Sequence, residues 1–292
     1  GVGRAVLSAV LTACERLGLD RRRVELVAWL VEHHLVMSDY AQKRDVSDPR
    51  TVTDFARIVQ TPERLRLLLV LTVADIRAVG PGVWNGWKGQ LLRELYNATE
   101  SVFRGGRGAE ASSVRRHFEV VAGSARERLA AAAPEAAEWA LSMEDAYFSG
   151  FSDDDILVHA ALADRAERQK GAAADARVRP EQGAAELVVA ARDRARLFAD
   201  LASCITAAGA SVLGARVFTS RLGQALDGFY VQDVAGQPYG ADNPKSLERL
   251  AGALEAAARG EAVKAEPRRL ADFGRAAAFA ITPTVMLDND AS

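Results

Sequence analysis

The spacing of apolar residues changes once along this chain, at Ala184, and that change limits what the chain can fold into. Before it, apolar residues recur at helical intervals: Val24, Val27, Ala28, Val31 and Leu35 share one stripe. Residues 65–76 are Leu-rich, too long for an ordinary strand and without strand alternation, and Gly80-Pro81-Gly82 stops them. After Ala184 short strand-like runs alternate with helical ones. Residues 186–191 read as a strand, and a helix follows with Leu197, Phe198, Leu201, Cys204 and Ile205 on one face. Residues 211–219 and 225–234, around a turn at 221–223, form a hairpin, and Pro244 opens a helix to about residue 259. A last strand is expected over 276–287. The predicted fold is α+β: an all-helical portion, then a ferredoxin-like β-α-β-β-α-β sandwich.

Between the two patterns the chain is Ala-rich. A third helix runs over 84–102, a Gly-rich loop over 104–112, and charged helices over 113–146, broken at Pro134. Residues 147–183 read as a helix after Asp153 and then a polar linker. The length of 292 residues suits about two domains. A net charge of −2 lacks the basic excess expected of a nucleic-acid or membrane-surface binder. Cys14 and Cys204 are too few for a disulfide framework and sit in apolar stretches, so a reducing, cytoplasmic setting is expected. No apolar run reaches the ~20 residues of a membrane span. The chain opens on Gly1 inside a helical pattern and ends just after an apolar run, which reads as a piece cut from a longer protein.

Few residues carry chemistry. His34, three after Val31 and four after Leu30, points with the apolar stripe, either as a metal ligand or as a satisfied core histidine. Asp75 lies among Leu68, Leu71 and Ile76; a buried carboxylate needs a metal or a cation, and Arg77 is the alternative partner. Lys43 and Arg44 open a charged loop fit to touch an anionic substrate, although Ser47 and Asp48 before Pro49 also make an ordinary helix start. Trp84, Asn85, Trp87 and Lys88 come after the Gly-Pro-Gly turn and serve either packing or a site. Asp153-Asp154-Asp155 reads as a capping cluster rather than a metal motif. His117 and His159 have no assignment. The turn at Asp193, Arg194, Ala195 and Arg196 exposes the N–H groups of a helix start, suited to a carboxylate ligand, or is a plain turn capped by Asp193.

Several of these stretches together resemble a known family. Residues 27–38, with Glu32-His33-His34-Leu35, then Lys43-Arg44-Asp45-Val46-Ser47-Asp48-Pro49, Leu71-Thr72-Val73-Ala74-Asp75-Ile76 and Trp84-Asn85-Gly86-Trp87-Lys88, are similar to the HD-hydrolase domain of bifunctional PII uridylyltransferase/uridylyl-removing enzymes. Val217-Phe218-Thr219-Ser220-Arg221, Ala225-Leu226-Asp227-Gly228-Phe229 and 283–289 resemble that family's first ACT domain. The resemblance implies the late part of an HD domain over 1–103, a helical connector and linker over 104–183 and a first ACT domain over 184–288. Residues 289–292 would then begin the linker to a second ACT domain, or its first strand.

It also implies an activity. Such enzymes join UMP from UTP to the PII signalling protein, a nucleotidyltransferase reaction. They hydrolyse it off again, a phosphodiester hydrolysis, in response to glutamine. By motif, His34 and Asp75 match two ligands of the HD metal site, a divalent ion expected to be Mg²⁺ or Mn²⁺. No His-Asp dipeptide occurs in the chain, so the resemblance places the earlier ligands and the nucleotidyltransferase domain before Gly1. This chain alone is then expected to lack hydrolase turnover. The alternative is a non-catalytic amino-acid-sensing protein of ACT type with a vestigial HD portion.

Overall fold

In a computed structural model, the described residues are 2–80, 83–105, 110–169 and 171–261; side chains are described from residue 8, and that of Glu110 is not. The first part is helical: α1 (Val2–Arg16), α2 (Arg21–His33), α3 (Val36–Lys43), α4 (Pro49–Val59), α5 (Pro62–Val79), α6 (Gly86–Gly105) and α7 (Glu110–Ala132). Local signals set the boundaries. Asp20, Asp48 and Thr61 each accept a backbone N–H at a helix start, and Pro49 and Pro62 stand in first turns. Met37, Phe55, Leu65, Leu68, Leu92 and Leu95 are fully buried at the centre of these helices. Each such side chain contributes roughly 1.5–3 kcal/mol relative to exposure.

The stripe on α2 is less buried than its spacing implies. No residue of α2 is fully buried, and Leu35, in the turn before α3, is 52% exposed. His34 is correspondingly half-buried rather than part of a core.

Pro134 breaks the next helical stretch as expected, with a short 3-10 turn before α8 (Ala137–Ser142). Then α9 (Asp153–Arg168) begins on a capping box in which the Ser152 and Asp155 side chains each bond the other's backbone N–H.

The expected linker instead contains a strand. β1 (Ala172–Arg179) turns at Gly183, which adopts φ 66°, into β2 (Ala184–Arg192). An Ala-rich segment with one Val has weak strand propensity, so its pairing is decided by its partner rather than by its own residues. After α10 (Leu197–Ala207) come β3 (Ser211–Thr219), β4 (Gln224–Gln232) and α11 (Pro244–Ala258). The sheet is antiparallel in the order β1-β2-β4-β3, so β1 occupies the position beside β2. The strand expected over 276–287 lies outside the described residues.

The protein is thus α+β, with the sheet covered on both faces. Leu187, Val189, Phe229 and Val231 face α10 and α11, where they meet Leu197, Leu201, Leu250 and Leu254. Val188, Ala190 and Leu226 face the helical part and pack with Tyr147, Phe148 and Ile156. β2 therefore reads as a nearly unbroken apolar run instead of an alternating one. Among the described residues, no helix is long and apolar enough to cross a membrane.

Candidate functional site

Three places in the fold collect polar side chains that packing alone does not explain. The first is where α2 packs on α5, with His34 just past the end of α2 and Asp75 on α5. His34 comes directly after the last turn of α2, and its Nδ1 lies 2.9 Å from the Val31 carbonyl oxygen. A carbonyl only accepts, so Nδ1 carries the proton and Nε2 keeps its lone pair, the arrangement usual for a metal-ligating histidine. Neighbouring His33 is engaged differently: its Nδ1 meets the Trp29 carbonyl at 2.9 Å, and its ring stacks on Trp29. Asp75 sits on α5, which packs against α2. It is half-buried rather than buried, and has no hydrogen bond or ion pair among the described residues. Arg77, its alternative partner, lies instead over the Trp84 ring at 5.3 Å. Both groups are therefore free to act as donors, and imidazole with carboxylate suits a divalent first-row ion. Among the described residues no group of three or more His, Cys, Asp or Glu is placed to hold a metal.

The second place is a cleft of about 700 Å³ where the helices meet β3. Arg44, Trp87 and Lys88 all line it, joined by Asp45, His117 and Arg216. Lys43 is not among its lining residues and pairs with Asp39 at 2.7 Å. Trp87 is buried and stacks on Tyr230 of β4 with ring centroids 4.0 Å apart. It also limits Gly214: a Cβ there would stand 2.7 Å from the indole nitrogen. Trp87 is thus a packing residue that also forms part of the cleft wall. Lys88 donates to the Val83 carbonyl at 2.7 Å. Arg216 reaches from β3 to Glu94 of α6 at 2.7 Å, its guanidinium between the Trp87 and Phe151 rings. His117, unassigned from sequence, faces the cleft from α7, and burial followed by the charge of Arg104 holds it below the ordinary imidazole value. No sequence signal marked His117 or Arg216, because the cleft joins distant parts of the chain; Arg216 and Glu94 are 122 positions apart.

The third place is a charged network under the sheet. Glu186 of β2 is 1% exposed and stands directly opposite Arg177 of β1. Its carboxylate receives Arg177 Nε at 2.7 Å, Arg179 Nε at 3.0 Å and the Tyr230 hydroxyl at 2.9 Å. Both arginines continue to Asp155, at 2.6 Å from Arg177. Burial pushes Asp155 upward, but Ser152, Arg179 and Arg177 hold it below the usual carboxylate range. The capping reading of the triple acid holds, then, but Asp155 also anchors α9 to the sheet. The alternation of Arg177 and Arg179, with an acid inside the apolar run of β2, was the available signal for this network.

The turn at 193–196 lies on the opposite face. Asp193 is not the N-cap of α10; Arg196 takes that position, in the left-handed region at φ 68° and without a side-chain cap. Asp193 bonds the Gly223 carbonyl through its backbone N–H. Arg194 donates to the carbonyls of Ala257, at 2.7 Å, and Ala258, at the end of α11, and pairs with Asp200. Close to this turn Asp227 is 2% exposed, and its Oδ1 has no partner. Burial, then the charge of Asp193, pushes its carboxyl up to about 7.

Fold and sites define an α+β protein whose helical part shares a polar cleft with an antiparallel sheet. Along its length the chain is homologous to one segment of the bifunctional uridylyltransferase/uridylyl-removing enzymes. It is 70% identical over 285 residues to the one from Phenylobacterium zucineum strain HLK1, covering 97% of this chain and 30% of that protein. It is 65% identical over 296 residues to that of Caulobacter vibrioides strain NA1000 / CB15N, covering 100% of this chain and 32% of the relative. For Gluconobacter oxydans strain 621H the identity is 39% over 291 residues, covering 97% and 30%. The chain therefore spans about 30% of the length of the curated relatives it matches. No family model matches it, and no solved structure does.

Proposed function

We propose that this chain carries part of the uridylyl-removing site and one regulatory domain of a bifunctional PII uridylyltransferase/uridylyl-removing enzyme. The carrying observation is the collinear identity of 70% over 97% of the chain, with His34 and Asp75 both left without competing partners. In this reading residues 1–103 are the late part of an HD domain, and the sheet from Ala184 onward is an ACT domain that reports glutamine. The central placing of β2 and β4, with β3 at the edge and both helices on one face, supports a ferredoxin-like sandwich. PII is the protein partner, UTP the nucleotide donor and UMP the released product of the whole enzyme, working in the cytoplasm.

His34 Nε2 and the Asp75 carboxylate would hold a Mg²⁺ or Mn²⁺ ion. Such an ion supplies an activated water and polarises a phosphodiester. The chain's own contribution is to orient the imidazole through Val31 and to keep Asp75 free of cations. With two donors, affinity is expected to be weak. Titrating Mn²⁺ by electron paramagnetic resonance tests this. His34→Ala and Asp75→Ala should each weaken binding by tenfold or more; a site unaffected by both would place the metal elsewhere. UMP release from uridylylated PII should be absent with this chain and present with the full-length enzyme, and robust turnover by the chain would overturn the assignment of a partial site.

A further inference from the structure

We propose that the cleft between the helices and β3 binds a phosphate-bearing ligand of nucleoside-monophosphate size, separately from the metal donors. The inference rests on the uridylyl-removing reading for its choice of nucleoside, and on the cleft itself for its chemistry. Three cations, Arg44, Lys88 and Arg216, face two carboxylates, Asp45 and Glu94. Both carboxylates are already engaged. Asp45 accepts the Ser47 N–H at 2.8 Å and the Ser47 hydroxyl at 2.6 Å, and Glu94 takes Arg216. The cations are not equally engaged. Arg44 lies over the Tyr40 ring at 4.2 Å and Lys88 meets only the Val83 carbonyl, so neither has a carboxylate partner among the described residues. The side chain of Arg216 is 10% exposed, yet its Nε has no hydrogen-bond partner. A buried guanidinium N–H without an acceptor costs on the order of 1–3 kcal/mol, which an anionic oxygen in the cleft would recover.

The space fits the chemistry. A cleft of about 700 Å³ lies inside the roughly 300–1,000 Å³ range of small-molecule sites. Phe118 and Phe218 supply apolar wall beside the cations, as a nucleoside with a charged end requires. Neither His34 nor Asp75 lines it. Arg44 and Lys88 are placed to hold the phosphate, and His117 adds a neutral hydrogen-bonding group. Because β3 forms one wall, a ligand here touches the helical part and the sheet at once.

Isothermal titration of the 292-residue chain in EDTA tests the proposal. UMP should bind at least tenfold more tightly than uridine and more tightly than inorganic phosphate. Arg44→Ala and Lys88→Met together should weaken UMP by tenfold or more while the melting temperature stays near that of the parent. Arg44 is exposed, and Met keeps the Lys88 stem, so both variants are expected to fold. Equal binding of UMP and uridine, no binding at millimolar UMP, or an unchanged affinity in the double variant would overturn the site. Inorganic phosphate binding as tightly as UMP would overturn the claim of a nucleotide-sized ligand. Since EDTA removes divalent ions, failure here leaves the His34 and Asp75 assignment standing, and loss of Mn²⁺ binding does not affect this result.

Discussion

On one face of the sheet, α10 and α11 cover Leu187, Val189, Phe229 and Val231 with other apolar side chains. On the other face, α9 and α6 meet the same strands through Glu186, Arg177, Arg179, Asp155 and Arg216 as well as through apolar contacts. Apolar burial is non-directional and supplies stability wherever shapes fit. Charged pairs under a sheet are worth little net, but they penalise any arrangement that separates them. The contrast assigns the two faces different work. The α10/α11 face makes the sheet unit stable, whereas the α9/α6 face fixes how the helical part sits on it. The cleft lies along that fixed seam, so its walls are set by directional contacts.

The sharpest way to break the contrast is Glu186→Ala. It leaves Arg177 with Asp155 alone, Arg179 with Asp155 and the exposed Glu181, and orphans the Tyr230 hydroxyl. Removing one partner of a buried pair costs about 3–5 kcal/mol, and urea denaturation should show a loss in that range. Leu254→Ala on the opposite face should cost about 2–5 kcal/mol by cavity formation. The two differ in kind. Glu186→Ala should also weaken UMP binding in the cleft, and Leu254→Ala should not. A Glu186→Ala variant that loses less than about 1 kcal/mol would show that the network is dispensable.

The next contrast is in pH, where the two faces carry opposite signs. Asp227 ionises near 7 in the fold and near 3.8 when unfolded. Between those values the folded state binds more protons, so stability is present in full below about 3.8 and falls as pH rises to about 7. At ~1.4 kcal/mol per pH unit the ceiling is about 4 kcal/mol. Asp227→Asn should therefore raise stability at pH 8 and leave it nearly unchanged at pH 3.5. His159 behaves conversely. Burial lowers it to about 4, against the pull of Glu186 and Asp155, and its Nδ1 meets the Tyr147 hydroxyl at 2.7 Å. Its contribution is present above 6.5 and lost as pH falls toward 4, a ceiling of about 3 kcal/mol. His159→Gln should flatten that acid limb. If denaturation between pH 4 and 8 responds to neither variant, neither burial controls titration.

Much of this architecture was legible from residue spacing, and the exceptions have physical causes. The strand 211–219 and the helix from Pro244 coincide with their expected positions, because β-branched residues mark the one and a first-turn proline the other. β1 escaped because alanine carries almost no strand signal; pairing with β2 supplies what its own residues lack. Leu35 was misplaced because helical periodicity was carried past the end of α2 at His33. Arg44, Trp87 and Lys88 were legible as candidates, but not as members of one cleft, since the opposing wall comes from β3. The carboxylate of Asp75 was expected to be buried; the buried face of α5 runs through Leu65, Leu68, Thr72 and Ile76, and Asp75 is only partly buried.

The smallest expected effect concerns how α10 enters the apolar face. Arg196 is exposed and adopts φ 68°, where an L-residue loses roughly 1–2 kcal/mol. Glycine avoids that strain but gives up about 0.5–1 kcal/mol of chain entropy. Arg196→Gly should therefore raise stability by no more than about 1 kcal/mol. Arg196→Val, with branching at Cβ, should lower it. Thermal melts of both variants distinguish strain from contact. A Gly variant less stable than the parent would mean that the Arg196 side chain contributes an interaction of its own, and the entry to this face would then depend on charge as the opposite face does.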